Sequence, residues 1–202
     1  MPKITFFDSF LEDQRVSINY ITKQVKKNSK AHRHPEFQYE IFRPTCRTGF
    51  LSNRFNLSMR AARFIDYPIQ ANKQKTDIAH VMEDGYAHLA PFLKAQKRVL
   101  TFSDLIPLLG YEGKVPGLRY PHNPLLFKYS LKFLNSYDQI ITWSQNTKQD
   151  LISRFSLKEE RIAIIPLAAD ETLFDAAKIN KSIAREKLGL PNKSVVILIS
   201  GK

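Results

Sequence analysis

Gln139-Ile140-Ile141-Thr142-Trp143-Ser144-Gln145-Asn146-Thr147-Lys148-Gln149-Asp150-Leu151-Ile152 is the stretch on which the architecture of this 202-residue chain turns. A strand-forming run, Gln139 to Trp143, ends at Ser144, whose hydroxyl can accept a hydrogen bond from a free N–H in the first turn of a helix. Thr147, Leu151, Ile152 and Phe155 then recur at helical spacing. An apolar strand that passes directly into a capped helix is half of a β-α-β unit, and such units build parallel sheets covered by helices.

The same alternation extends in both directions. Ile4-Thr5-Phe6-Phe7, Tyr39-Glu40-Ile41-Phe42, Ile78-Ala79-His80-Val81 and Arg98-Val99-Leu100-Thr101-Phe102 precede the stretch; Ile162-Ala163-Ile164-Ile165-Pro166 and Val195-Val196-Ile197-Leu198-Ile199 follow it. Most of these runs are continuously apolar, as in strands covered on both faces. Val16, Ile18, Ile21 and Val25 predict a helix after the first strand, and Phe55, Leu57, Met59, Ala62, Phe64 and Ile65 one before the third. Leu125, Leu126, Tyr129, Leu131, Phe133 and Leu134 predict another, with Pro121 and Pro124 at its start. The expected fold class is therefore α/β: a Rossmann-like parallel sheet with helices on both faces, over residues 1–170. Residues 171–202 read as a linker with the first helix and strand of a second, truncated α/β unit, the helix running from Ser182 to Leu190 before Gly189 and Pro191 end it.

Composition agrees with a packed domain. The chain is 43% hydrophobic and 25% charged, with only 7 Gly and 11 Pro, which excludes collagen-like and disordered classes. No run approaches the ~18 apolar residues of a membrane span, and the first residues lack the apolar core of an export signal. With Cys46 as its one cysteine the chain cannot form an internal disulfide, so a cytoplasmic location is expected. The net charge is +12, and it is uneven: up to Thr76 there are 14 Lys and Arg against 6 Asp and Glu, and from Asp77 onward 17 against 13. Such a balance favours polyanions or anionic lipid as partners.

No G-x-G-x-x-G follows the first strand, and no P-loop, H-E-x-x-H or G-x-S-x-G occurs. His32 and His34 could ligate metal from a loop but have no carboxylate or thiol cluster nearby, and they read as a solvated basic loop. In open α/β sheets ligands collect beyond the carboxyl ends of the strands. Four polar groups stand there: Asp8-Ser9 with Glu12-Asp13-Gln14-Arg15, Glu83-Asp84-Gly85-Tyr86-Ala87-His88, Ser103-Asp104, and Ser144-Gln145-Asn146-Thr147. Singly, each can be explained by helix capping or turn formation. Together they predict one rim of carboxylates, amides and hydroxyls, a lining suited to the hydroxyl groups of a sugar.

Residues 77–89, Thr101-Phe102-Ser103-Asp104-Leu105-Ile106-Pro107-Leu108, the 142–152 segment and Ile164-Ile165-Pro166-Leu167-Ala168-Ala169-Asp170 resemble, in order, consecutive blocks of the retaining GT-B glycosyltransferases of family 4. The resemblance implies an N-terminal acceptor domain and a C-terminal donor domain that grips a nucleotide-sugar. It implies transfer of a hexose to a glycan or lipid-linked acceptor with retention, with no metal and no cofactor beyond the nucleotide-sugar substrate. The donor-gripping residues of the family have no counterpart in these 202 residues, so the chain alone is expected to be inactive. By the same resemblance Asp104 is the catalytic candidate, with Asp84, Tyr86, Ser103, Ser144, Asn146 and Thr147 binding substrate. Two departures stand out: Ser103 occupies a position where the family commonly has histidine, and Phe10-Leu11-Glu12-Asp13 replaces the glycines often found after the first strand.

Other readings concern the partners. The chain can be a non-catalytic glycan or membrane-surface binding module, or a half-enzyme completed by a separate donor-domain chain. Lys23, Lys26, Lys27 and Lys30, with Arg54, Arg60 and Arg63, form either a basic amphipathic surface for anionic lipid, which would hold the protein peripherally at the inner face of a membrane, or ordinary solvated helix faces. No nucleic-acid-binding motif accompanies the charge, so nucleic acid is not an expected partner.

Overall fold

The computed structural model describes residues 1–13, 16–31, 34–47, 55–117, 125–168, 180–191 and 193–197. It divides into two compact units, Met1–Pro166 and Leu167–Lys202.

The first unit is built on six parallel strands: β1 (Lys3–Phe7), β2 (Gln38–Phe42), β3 (Ile78–Val81), β4 (Lys97–Phe102), β5 (Gln139–Thr142) and β6 (Ile162–Ile164), in the spatial order β2-β1-β3-β4-β5-β6. All six strands expected in this region are present, and every pairing is parallel. Because successive side chains in a strand point to opposite faces, Phe6 and Phe7 enter different cores. Phe6 joins Ile18, Met82 and half-buried Ile21, Val25 and Trp143 beneath α1 (Val16–Ala31). Phe7 joins the larger core on the other face, with Tyr67, Tyr86, Leu100, Phe102 and Ile140. The sheet is thus covered on both sides, as the apolar runs predict.

On the larger face α2 (Phe55–Ala61) passes through a π-helical turn, Ala62–Asp66, into α3 (Tyr67–Ala71). In a plain helix the Pro68 ring would meet the Phe64 carbonyl four residues back. The Tyr67 N–H instead reaches the Ala62 carbonyl, five residues back, and the Arg63 carbonyl is left without a helical partner, because the next π-type donor would be the N–H of residue 68, which proline lacks. Nε2 of His88 takes that place at 3.0 Å from the Arg63 carbonyl oxygen, and Nδ1 lies 2.9 Å from the Ser130 hydroxyl. His88 belongs to a 3-10 helical segment, Asp84–Phe92, that leads from β3 toward β4. Ser130 lies on α5 (Leu125–Leu131), which follows α4 (Ile106–Tyr111). One imidazole therefore fastens the π-turn and α5 side by side.

β5 runs through Trp143 into α6 (Gln145–Phe155), and Ser144 caps that helix as its sequence predicts, its hydroxyl accepting from the Thr147 N–H at 3.2 Å. Ser144→Ala is expected to cost about 1 kcal/mol, read as a lower denaturant midpoint with an unchanged slope.

In the second unit α7 (Lys181–Lys187) is capped by Asn180, whose side chain accepts from the Ser182 and Ile183 N–H groups, and Gly189 follows with φ +65°. Among the described residues Val195 and Ile197 are largely exposed and make no strand pairing; Leu198 and Ile199 lie outside them. Pro121, Pro124 and His32 also lie outside the described residues, while His34 faces Glu36 across 3.0 Å.

Candidate functional site

The carboxyl ends of β2, β1, β3, β4 and β5 lie in consecutive order along one edge of the sheet, and each is followed by polar residues. After β1, Asp8 is fully buried. Its Oδ1 accepts from the Ser9 N–H at 2.9 Å and the Thr22 hydroxyl at 3.2 Å, and its Oδ2 is paired with Arg43, the residue that follows β2. Asn19 of α1 completes this group, its Oδ1 accepting from Ser9 and Arg43. The Asp8 carbonyl accepts from the Tyr67 hydroxyl. Asp8 is thus held by α1 on one layer and α3 on the other.

A second group joins three separate segments. Asp13 lies in a short 3-10 turn, Leu11–Asp13, where Arg63 holds both its carboxylate oxygens at 2.7 and 3.0 Å, and the Tyr86 hydroxyl donates to Oδ2. The bidentate geometry is the favoured one for an arginine–carboxylate pair. The Tyr86 ring is buried against Phe10 and Tyr67. Tyr86, expected as a cleft residue, builds the wall behind the rim, with its hydroxyl committed to Asp13.

Asp84 opens the 3-10 segment after β3, and its Oδ1 accepts from the Ser103 N–H at 3.2 Å, so these two expected site residues are brought together. Asp84 is 8% exposed. Burial, with the adjacent Glu83 and then Asp104 adding like charge, raises its carboxyl to about 7 against two opposing backbone hydrogen bonds. Near neutrality Asp84 therefore both donates and accepts a proton. Asp104 is half-buried, with Oδ1 accepting from the Ile106 N–H at 2.8 Å at the start of α4, which leaves Oδ2 for other partners. Ser144 and Asn146 are exposed at the end of β5, whereas Thr147 is buried with its hydroxyl 3.0 Å from that of Ser144. Capping thus accounts for the Ser144–Thr147 contacts, and Asn146 is the exposed amide of that group. His80, by contrast, lies on the α1 face against Phe6 and Thr101, and burial pulls its pKa to about 4.

The sequence model of a known family, Glycosyltransferase Family 4, matches residues 11–173. The chain belongs to glycosyltransferase family 4. No curated protein matches it. In this family 4 chain the six-stranded parallel unit has the architecture of a GT-B N-terminal domain.

The pairs Asp8–Arg43 and Asp13–Arg63 are not legible as pairs in the sequence. The first has a signal in the register: Phe7 lies opposite Phe42, so the residues that follow them meet at the same height. Arg63 belongs to the basic set expected to face lipid, yet it is spent on Asp13. That set is also divided by the sheet, since α1 with Lys23, Lys26 and Lys27 packs on one face while Arg60 and Arg63 belong to the layer on the other. Arg54 and the Lys30 side chain lie outside what the structure describes. Among the described residues no His, Cys, Asp and Glu side chains cluster as a metal site, and no helix is long and apolar enough to cross a membrane.

Proposed function

We propose that this chain provides the acceptor side of a retaining hexosyl transfer from a nucleotide-sugar to a glycan or lipid-linked saccharide. The observation that carries the reading is the junction of Asp84, Ser103 and Asp104 at the ends of neighbouring strands in a family 4 domain. Asp104 would accept a hydrogen bond from a sugar hydroxyl through its second oxygen. Asp84 would take up or release a proton beside it, and Asn146 would contribute both a donor and an acceptor. The donor-binding side is a further Rossmann-like unit, in the same polypeptide or in a separate chain. Its cations would neutralise the departing phosphate.

The test is retention of the chain on an array of free oligosaccharides and polyprenyl-diphosphate-linked saccharides. Asp104→Asn keeps the acceptor oxygen that caps Ile106 while removing the charge, so it should weaken binding to the retained saccharide by ~10-fold. Its unfolding midpoint should not move. Retention of no saccharide, or undiminished binding by Asp104→Asn, would refute the assignment.

A further inference from the structure

Two stretches of the sequence hold no carboxylate, 41–65 and 113–137, and between them they carry nine Lys and Arg. The fold lays parts of both side by side. The Phe64 ring stacks on His88 at 4.2 Å and meets Tyr129 of α5 at 6.1 Å, while His88 itself bridges the Arg63 carbonyl and Ser130. Outward from this seam stand Ile65 and Ile69 on one side and Leu125, Leu126 and Tyr129 on the other, from 39% to 65% exposed. Arg60 near the end of α2, Lys128 on α5 and Lys132 just after it are exposed, with the Lys128 ammonium 5.7 Å from the centroid of the Tyr111 ring. Asp66, the one carboxylate within these helical segments, is buried, its Oδ2 accepting from the Arg47 N–H at 2.6 Å.

We propose that this face, formed by the π-turn, α3 and α5, docks on an anionic lipid bilayer. The aliphatic side chains and Tyr129 enter the boundary between headgroups and acyl chains, and the three cations stay at the phosphates. The proposal rests on the lipid-linked form of the acceptor reading, and it names the surface that reading needs. Charge complementarity commits it to lipid: cations flank apolar side chains with no exposed carboxylate on these segments among the described residues. The apolar part is mostly aliphatic, whereas a single-stranded nucleic acid calls for aromatic rings on which bases stack. The lysines of α1 lie across the sheet, so a flat bilayer that meets α5 does not meet them.

Flotation of the full chain with vesicles of phosphatidylcholine alone, and of phosphatidylcholine mixed with phosphatidylglycerol, tests the assignment. Binding is expected to the mixed vesicles only and to weaken as salt is added. Lys128→Glu with Lys132→Glu should lower it by ~30-fold or more, on the usual worth of each basic residue at an anionic surface. Leu125→Ser with Ile69→Ser should lower it by ~10-fold. Lys23→Glu with Lys27→Glu, on the opposite layer, should change it less than ~2-fold. All these positions are exposed, and Trp143 emission checks that each variant is folded.

Failure to bind the mixed vesicles, an equal loss in the α1 variant, or indifference to the Leu125 and Ile69 substitutions would overturn the proposal. So would burial of this face in a self-associated dimer, or tighter binding to single-stranded RNA than to the vesicles. Saccharide retention that persists while vesicle binding fails would overturn this surface and leave the acceptor reading standing.

Discussion

Asp84→Asn should stabilise the first unit by about 4 kcal/mol at pH 8 and leave it unchanged at pH 4, because folding raises this carboxyl to about 7. The sign follows from which state holds the proton. Below about pH 4 the group is protonated whether the chain is folded or not, and it contributes nothing. Between about pH 4 and about pH 7 the unfolded chain releases the proton while the folded one keeps it, so stability falls as pH rises. Above about 7 the folded state carries the full cost of a buried carboxylate beside Glu83. Asparagine is neutral throughout and keeps the oxygen that accepts from the Ser103 N–H. Urea unfolding followed by Trp143, the one tryptophan of the chain and a residue of the first unit, supplies the measurement. A stability difference that does not grow with pH would show that the site does not hold the proton. So high a pKa is what the proposed proton-handling role of Asp84 calls for.

The second large effect has the opposite sign. Asp8→Ala should destabilise the same unit by about 3 kcal/mol, since it removes the anion from a buried pair and takes the acceptor from the Ser9 N–H, while Arg43 keeps only Asn19 and the Thr22 hydroxyl keeps the Ile18 carbonyl. The lower end of the range for such a loss applies because the Arg43 side chain is 27% exposed and recovers some water. Asp8→Asn, which preserves an oxygen for Ser9 and Thr22, should lose about half as much. A double-mutant cycle with Arg43→Ala isolates the pair; a coupling near zero would mean that Arg43 is held by Asn19 and solvent instead.

The contrast between these two aspartates marks how far the sequence alone could be read. Continuously apolar runs and the Ser144 cap were enough to predict six strands, their parallel sense and the polar rim at their ends, because period and capping are local properties. What escaped was set by register and by side chains meeting across the fold. That Asp8 would find Arg43, or Asp13 would find Arg63 and Tyr86, depends on which strands neighbour β1 and on a π-turn enforced by Pro68 and His88. The surroundings of Tyr86 escaped for the same reason. A tyrosine beside a strand end suits a ligand or a core, and only the packing of Phe10 and Tyr67 around it decides. The basic residues of the first third read either as one lipid-facing surface or as solvated helix faces, and it took the fold to show that α1 and the layer of Arg60 and Arg63 lie on opposite faces of the sheet.

The two outermost strands of the sheet shape how the domain behaves in company. β6 is only three residues long and runs into Pro166 two positions after its end, and β2, five residues long, is closely bracketed by Pro35 and Pro44. Proline offers no N–H to an incoming strand, and a short border presents few unpaired amides. The prolines that follow β6 and flank β2 therefore limit how far an incoming strand could extend along either margin of the sheet.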